Sequence, residues 1–304
     1  MKIAIIGAGF SGCNLYDNLK LQFDDITIFE KSRGVGGRIS TKYIEDKFID
    51  HGTPFLIPIT NDLKDFCSDL VRNKVIKSKY DEFLPINGMN KICKFLIDEK
   101  DLVTNTKIIS CLFENNKWNL IDENHKKYEG FDKLFLTIPA PQILQMDIIL
   151  DENLKEQLKK VKYDSVFSLI LYSNEELKLQ ESKLYENVDV ENIINNSKKY
   201  LYKDFSSYVI HSTKEFANCL NNKTKDEICE IFLNNFDEEI RLQIEKFNII
   251  PHLWKYAFVK NSLDMPYFIN KEKNLGICGD YFNFSNMEAS LLSSELLGNL
   301  NLNI

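Results

Sequence analysis

Gly7, Gly9 and Gly12 stand at the end of the apolar run Ile3-Ala-Ile-Ile6 and at the start of an amphipathic stretch; the next apolar run, Ile26-Thr-Ile-Phe29, leads into Glu30. Few arrangements constrain a chain more. Gly7 allows a sharp turn out of the first strand, Gly9 lets backbone approach a pyrophosphate, and Gly12 lets the helix press on the sheet, with the helix N-terminus facing phosphate charge. Phe10 and Ser11 fall in the first helical turn and join these glycines as candidate contacts. Glu30, ending the second strand, can accept from ribose hydroxyls. The segment therefore predicts a βαβ-type dinucleotide site, with strands near 2–6 and 25–30 and a helix near 11–21.

A second cluster, Lys31-Ser-Arg33-Gly-Val-Gly36-Gly37-Arg38, follows at once. It offers glycines for close backbone approach and two guanidiniums for a pyrophosphate. The chain holds only four arginines among its 38 basic residues, and two of them lie in this window. Bidentate phosphate recognition is where lysine does not replace arginine. An NAD site needs nothing of this kind after the ribose acid, so the pattern points to FAD.

The stretch Glu30 to Thr41, with Phe48-Ile-Asp50-His51-Gly52, resembles the FAD-binding start of the renalase-like flavoproteins, a branch of the flavin amine oxidase superfamily. Pro85-Ile-Asn-Gly88-Met89, Phe131 to Gln142, His252 to Ala257 and Ile277-Cys-Gly279-Asp280 extend the likeness in the same order. Residues 174–245 carry no matching motif. The resemblance implies an α/β fold, with a Rossmann-type FAD-binding domain, an inserted antiparallel meander and a second, mainly antiparallel-sheet substrate domain of the p-hydroxybenzoate hydroxylase and amine oxidase type. The expected boundaries are 1–60, 100–147 and 270–304 for the FAD domain and 61–99 and 148–269 for the substrate domain. It also implies cofactor contacts from Asp50, His51, Gly52, Thr137, Pro139, Gly279, Asp280, Met287 and Ala289. Gly279-Asp280 before a closing helix permits close approach to the flavin, and Asp280 can accept from a ribityl hydroxyl or cap the helix.

By the two-residue strand period, His252, Trp254 and Tyr256 share a face, with Lys255 opposite. Such a wall suits a flat heteroaromatic substrate, and equally an ordinary core. His252 reads as a hydrogen-bonding residue or as an acid or base; the resemblance sets His51 near the flavin. These four, His51, His252, Trp254 and Tyr256, are the candidate catalytic residues. The family's activity implied here is oxidation of 2- and 6-dihydro isomers of NAD(P)H to NAD(P)+, with hydride passing to flavin and on to oxygen. The alternatives are a flavin amine oxidase or desaturase acting on another small substrate, or an FAD-binding protein without turnover. Thr53-Pro54-Phe55 departs from the family's small residue, Gln and Tyr, and Pro54 stiffens that loop. A basic cluster at the pocket would favour dihydronicotinamide oxidation, with Lys255 and Lys260 as candidates; an apolar pocket would favour the amine oxidase or desaturase, and a pocket filled by Phe55, Phe83 and neighbouring aromatics the protein without turnover.

The 304 residues suffice for two domains. Net charge of −7 with scattered lysines argues against nucleic acid. Seven cysteines, odd in number and without a C-x-x-C pair, predict neither a disulfide framework nor a metal site. No apolar run reaches the roughly 18 residues that a membrane span needs. The expectation is a cytoplasmic enzyme acting on a small molecule, with no required protein partner evident.

Overall fold

The computed structural model describes residues 1–283 and 286–301. Its centre is a six-stranded sheet. Lys2–Ile6 pairs in parallel with Asp25–Phe29 on one side and Lys133–Leu136 on the other. Leu102–Val103 and Leu275–Ile277 extend it in parallel, and Phe268–Asn270 closes one edge antiparallel.

After Lys2 the central strand is apolar because both faces are covered. Ile3 and Ile5 point into a core shared with the helices Phe10–Leu19 and Met287–Asn301, while Ala4 and Ile6 point into a core shared with the meander Ile108–Glu114, Lys117–Asp122 and Lys127–Phe131. The meander lies where the Asn-rich turns predicted it. The helices Asn61–Arg72 and Lys91–Leu96 bury Leu63, Cys67, Leu70, Ile92, Cys93 and Leu96 in the first of these cores. By packing, segment 61–99 thus joins the dinucleotide sheet, a correction to the boundary expected from the sequence. Its amphipathic helices supply the cover that one face of a parallel sheet requires.

The second sheet has the order Val190–Asn195, Ser206–Ser212, Lys162–Ser173 and Asn248–Asn261, antiparallel throughout. Phe167, Leu169 and Leu171 face the helices Lys225–Asn234 and Glu238–Ile244. The alternate residue Ile170, with Val209 and Ile194, faces Ile49 of the hairpin Thr41–Ile44/Lys47–Asp50. That hairpin ends at His51, so the face it covers is where the two sheets meet around the candidate residues.

Candidate functional site

The dinucleotide loop is built from backbone. Gly7 has φ +108°, and a Cβ there would lie 2.8 Å from Ile138. At Gly12 a Cβ would lie 2.0 Å from the Gly7 carbonyl oxygen, so the helix sits against the turn itself. Thr137 Oγ donates to the carbonyls of Ile6 (3.0 Å) and Gly7 (2.9 Å), holding the turn from the neighbouring strand. A Cβ on Gly9 would meet nothing within 4 Å, and no side chain caps the helix Phe10–Leu19. The first helical amides therefore face open space suited to an anion.

The second glycine loop docks on the first. Gly36 donates to the Ala8 carbonyl at 2.9 Å, and Gly36 (φ +123°) and Gly37 (φ +55°) both occupy backbone that glycine favours. Buried Glu30 accepts from the amides of Ala8 (2.9 Å) and Ser32 (2.8 Å), leaving lone pairs for a ribose. Phe10 packs edge-on against Phe66, Ser11 is buried beside it, and Pro139 precedes the short helix Ala140–Leu144.

On the facing wall the residues of one face of the antiparallel sheet come together. Ser168 pairs in register with His211 and His252, and Val166 with Trp254. The His51 carbonyl accepts from Ser168 Oγ (3.2 Å), His211 Nε2 (3.0 Å) and Trp254 Nε1 (3.2 Å). The His51 ring stacks on Trp254 at 5.3 Å and meets His252 edge-on at 5.2 Å, while His252 and Trp254 lie 4.2 Å apart. Burial, and then the neighbouring His252, push His51 down to about 3; burial, and then the charges of Lys42 and Lys225, push His252 down to about 4. Both rings are neutral near pH 7. His51 Nδ1 is buried with no hydrogen-bond partner among the described residues.

Residues 5–70 match the model of an NAD(P)-binding Rossmann-like domain. Mouse renalase is 23% identical over 198 residues, 56% of this chain and 58% of renalase. A 4,4'-diapophytoene desaturase of Staphylococcus aureus is 29% identical over 104 residues, 34% of this chain and 19% of that enzyme. The matches thus span little more than half of the one relative and a fifth of the other. Among solved structures, a triple mutant of putrescine oxidase superimposes with a TM-score of 0.66 at 10% identity, covering 100% of this chain and 99% of that one. A fatty acid isomerase of P. acnes does so with a TM-score of 0.64 at 13% identity, covering 100% and 98%. Residues 5–70 thus carry an NAD(P)-binding Rossmann-like domain. The chain shares its fold with putrescine oxidase.

The glycine loops, the uncapped helix and Glu30 fit the adenosine and pyrophosphate half of FAD. Other candidate residues have partners within the chain itself. Asp50, expected at the cofactor, is fully buried and accepts from Thr41 Oγ (2.6 Å), the Met89 amide (2.8 Å), Lys199 Nζ (2.5 Å) and Tyr200 OH. It ties the hairpin to the helix Asn196–Tyr200, and Lys199 also donates to the Pro54 carbonyl. Burial pushes Lys199 below the ordinary lysine range despite that partner. Arg38, expected on the pyrophosphate, donates to Asp280 (2.5 Å) and to the Ala257 carbonyl (3.2 Å). The Ala257 carbonyl is free to accept because the strand bulges between Trp254 and Phe258, where three residues lie opposite one. The same bulge separates Tyr256 from the His252–Trp254 face, and its ring meets Tyr163 at 5.3 Å.

Gly52 is fixed by crowding, since a Cβ would fall 2.0 Å from the Arg38 carbonyl oxygen and 3.3 Å from Trp254. Gly279 donates to Ser293 Oγ (3.2 Å), Ala289 is buried and capped by Asn286 (2.9 Å), and Met287 packs on the first core. Lys31 and Arg33 are exposed. Lys260 lies 4.0 Å from Asp164, and Lys255 is exposed. Sequence reasoning missed Ser168, His211, Lys199 and Tyr200, because only strand register and a helix from the unmatched middle bring them to the site. All seven cysteines are free, and six are buried.

Proposed function

We propose that this chain oxidises a dihydronicotinamide-type substrate, the 2- and 6-dihydro isomers of NAD(P)H, with oxygen as the final acceptor. The observation that carries this reading is the neutral stack of His51, His252 and Trp254. FAD, when bound, supplies the hydride acceptor. The Gly9 turn and helix N-terminus hold its pyrophosphate, and Glu30 accepts from its ribose.

A dihydropyridine becomes a cationic ring as it loses hydride. Imidazoles held neutral near pH 7 add no opposing charge, and the Trp254 face favours a developing cation. No general base is needed, because the ring nitrogen itself drives the C–H bond to break; the protein's work is positioning and exclusion of water. Likeness to renalase agrees with the reading.

The alternative, an amine oxidase or desaturase on a more apolar substrate, is favoured by one feature. Lys199 anchors the Pro54 carbonyl, so the departure at Thr53-Pro54-Phe55 is a fixed part of the wall. The test is the visible spectrum of the anaerobic FAD-loaded protein mixed with dihydroNAD(P) isomers. Bleaching, with recovery in air, is expected; an unchanged oxidised flavin spectrum would pass the substrate to the alternative.

A further inference from the structure

Tyr163 belongs to the second sheet but packs against a core of the first. It stands near the start of the strand Lys162–Ser173, and its ring lies on the core that holds Ile6, Leu136, Ile277 and Tyr281. Two irregularities in the pairing with Asn248–Asn261 flank it. Lys260 is an extra residue between the pairs Lys162 with Asn261 and Tyr163 with Val259, and the larger bulge at residues 255–257 follows beyond Asp164. Bulges re-aim a side chain that a regular pleat would hold in line.

The groups around it come from both sheets. Arg38 pairs with Asp280 at 2.5 Å and donates to the Ala257 carbonyl at 3.2 Å, while Tyr256, the residue before Ala257, meets the Tyr163 ring edge-on at 5.3 Å. Tyr281, next to Asp280, donates its hydroxyl to the Ile138 carbonyl at 3.3 Å. The Tyr163 hydroxyl is buried with no hydrogen-bond partner among the described residues. Burial, and then the charge of Asp280, push it above the ordinary tyrosine range, with Arg38 and the nearby Ala140 amide drawing it back, so it stays a protonated donor near pH 7. A buried hydroxyl without an acceptor destabilises the chain that carries it, and a ligand that supplies an oxygen relieves that cost.

Strand order decides which part of a ligand comes near. Glu30 follows Asp25–Phe29, the Gly7 to Gly9 turn follows Lys2–Ile6, and Thr137 and Asp280 follow the next two strands across the sheet, Lys133–Leu136 and Leu275–Ile277. A dinucleotide laid over these carboxyl ends, with its ribose on Glu30 and its pyrophosphate at Gly9, continues over the last two strands with its other half. In FAD that half is the ribityl chain and the flavin ring.

We propose that the Tyr163 hydroxyl donates a hydrogen bond to an oxygen of the flavin half of FAD, so that the second sheet itself holds the cofactor. This contact rests on the glycine loops being an FAD site and is independent of the substrate.

The full chain is stripped of flavin, and its thermal unfolding is followed as FAD is added, since binding raises the midpoint according to Kd. Without FAD, Tyr163→Phe should unfold at the parent's temperature or above it, because an unpaired hydroxyl has been removed. With FAD the order should reverse, Kd for FAD being raised about fivefold to tenfold. In the loaded protein the same loss should appear as faster FAD release on dilution, read by flavin fluorescence. Kd for ADP, which carries only the adenosine and pyrophosphate half, should stay that of the parent. Tyr281→Phe, whose hydroxyl has an internal partner in the Ile138 carbonyl, is the contrast and should lower the FAD-free midpoint.

An unchanged Kd for FAD in Tyr163→Phe would overturn the contact. So would a lowered midpoint of its FAD-free form, which would give the hydroxyl a partner inside the chain, or equal losses of FAD and ADP, which would mark damage to the whole site. A parent whose midpoint FAD does not raise would discard the cofactor reading and the contact together, whereas a parent that binds FAD no better than Tyr163→Phe discards the contact alone.

Discussion

The two walls of the site are made by different means. The dinucleotide wall is backbone: glycines without Cβ atoms, an uncapped helix end and one carboxylate. The facing wall is side chain: a serine, three histidines and a tryptophan brought into line by strand register, with a buried lysine and aspartate behind them. At Gly7 and Gly12 the backbone wall has no room for a Cβ, whereas a side-chain wall tolerates shape changes but not the loss of a partner.

The largest expected effect lies where the walls touch. Gly52→Ala sets a methyl 2.0 Å from the Arg38 carbonyl oxygen, in backbone that cannot yield without moving Trp254. Purified protein should carry no flavin, and a yellow Gly52→Ala protein would break the distinction. Next is Lys199→Met, which strands the fully buried Asp50 charge and should cost about 3–5 kcal/mol in denaturant unfolding. Adding Asp50→Asn should recover part of that loss.

A pH series sharpens the side-chain half. His51 titrates near 3 when folded and near 6.5 when unfolded, so the unfolded chain binds more protons between those values and stability falls with pH across that window. From pH 6.5 to 5 the loss from His51 alone should be about 2 kcal/mol. His51→Gln should flatten that slope, and an unchanged slope would remove His51 as its source. The smallest effect is Trp254→Phe. It keeps the stacking surface and loses the Nε1 bonds to Ser168 and His51, for about 1 kcal/mol in the same unfolding assay.

The difference between the walls also explains what could be read from the sequence. Gly7, Gly9, Gly12 and Glu30 act within one βαβ unit, so their spacing carries the geometry. His252 and Trp254 share a face because the period of two holds from Ile250 to Trp254, and it fails for Tyr256 because the bulge lies between. Asp50 and Arg38 read as cofactor residues in sequence, and nothing local reveals Lys199, Tyr200 or the Ala257 carbonyl as their partners within the chain. Those partners lie more than 140 residues away, in segments with little motif. Segment 61–99 was misplaced for a related reason: an amphipathic helix declares that one face is buried, but not against which sheet.

The His51 carbonyl has a mechanical consequence. Three donors from three different strands converge on one oxygen, joining the hairpin to the second sheet like a rivet through overlapping plates. Prying the plates apart at that point breaks all three bonds in a single movement, at about 1 kcal/mol each, before any buried area is exposed. A hinge placed there would be stiff, and a fluorescent or spin-labelled pair spanning residues 46 and 204 should report a distance that barely changes as ligands come and go.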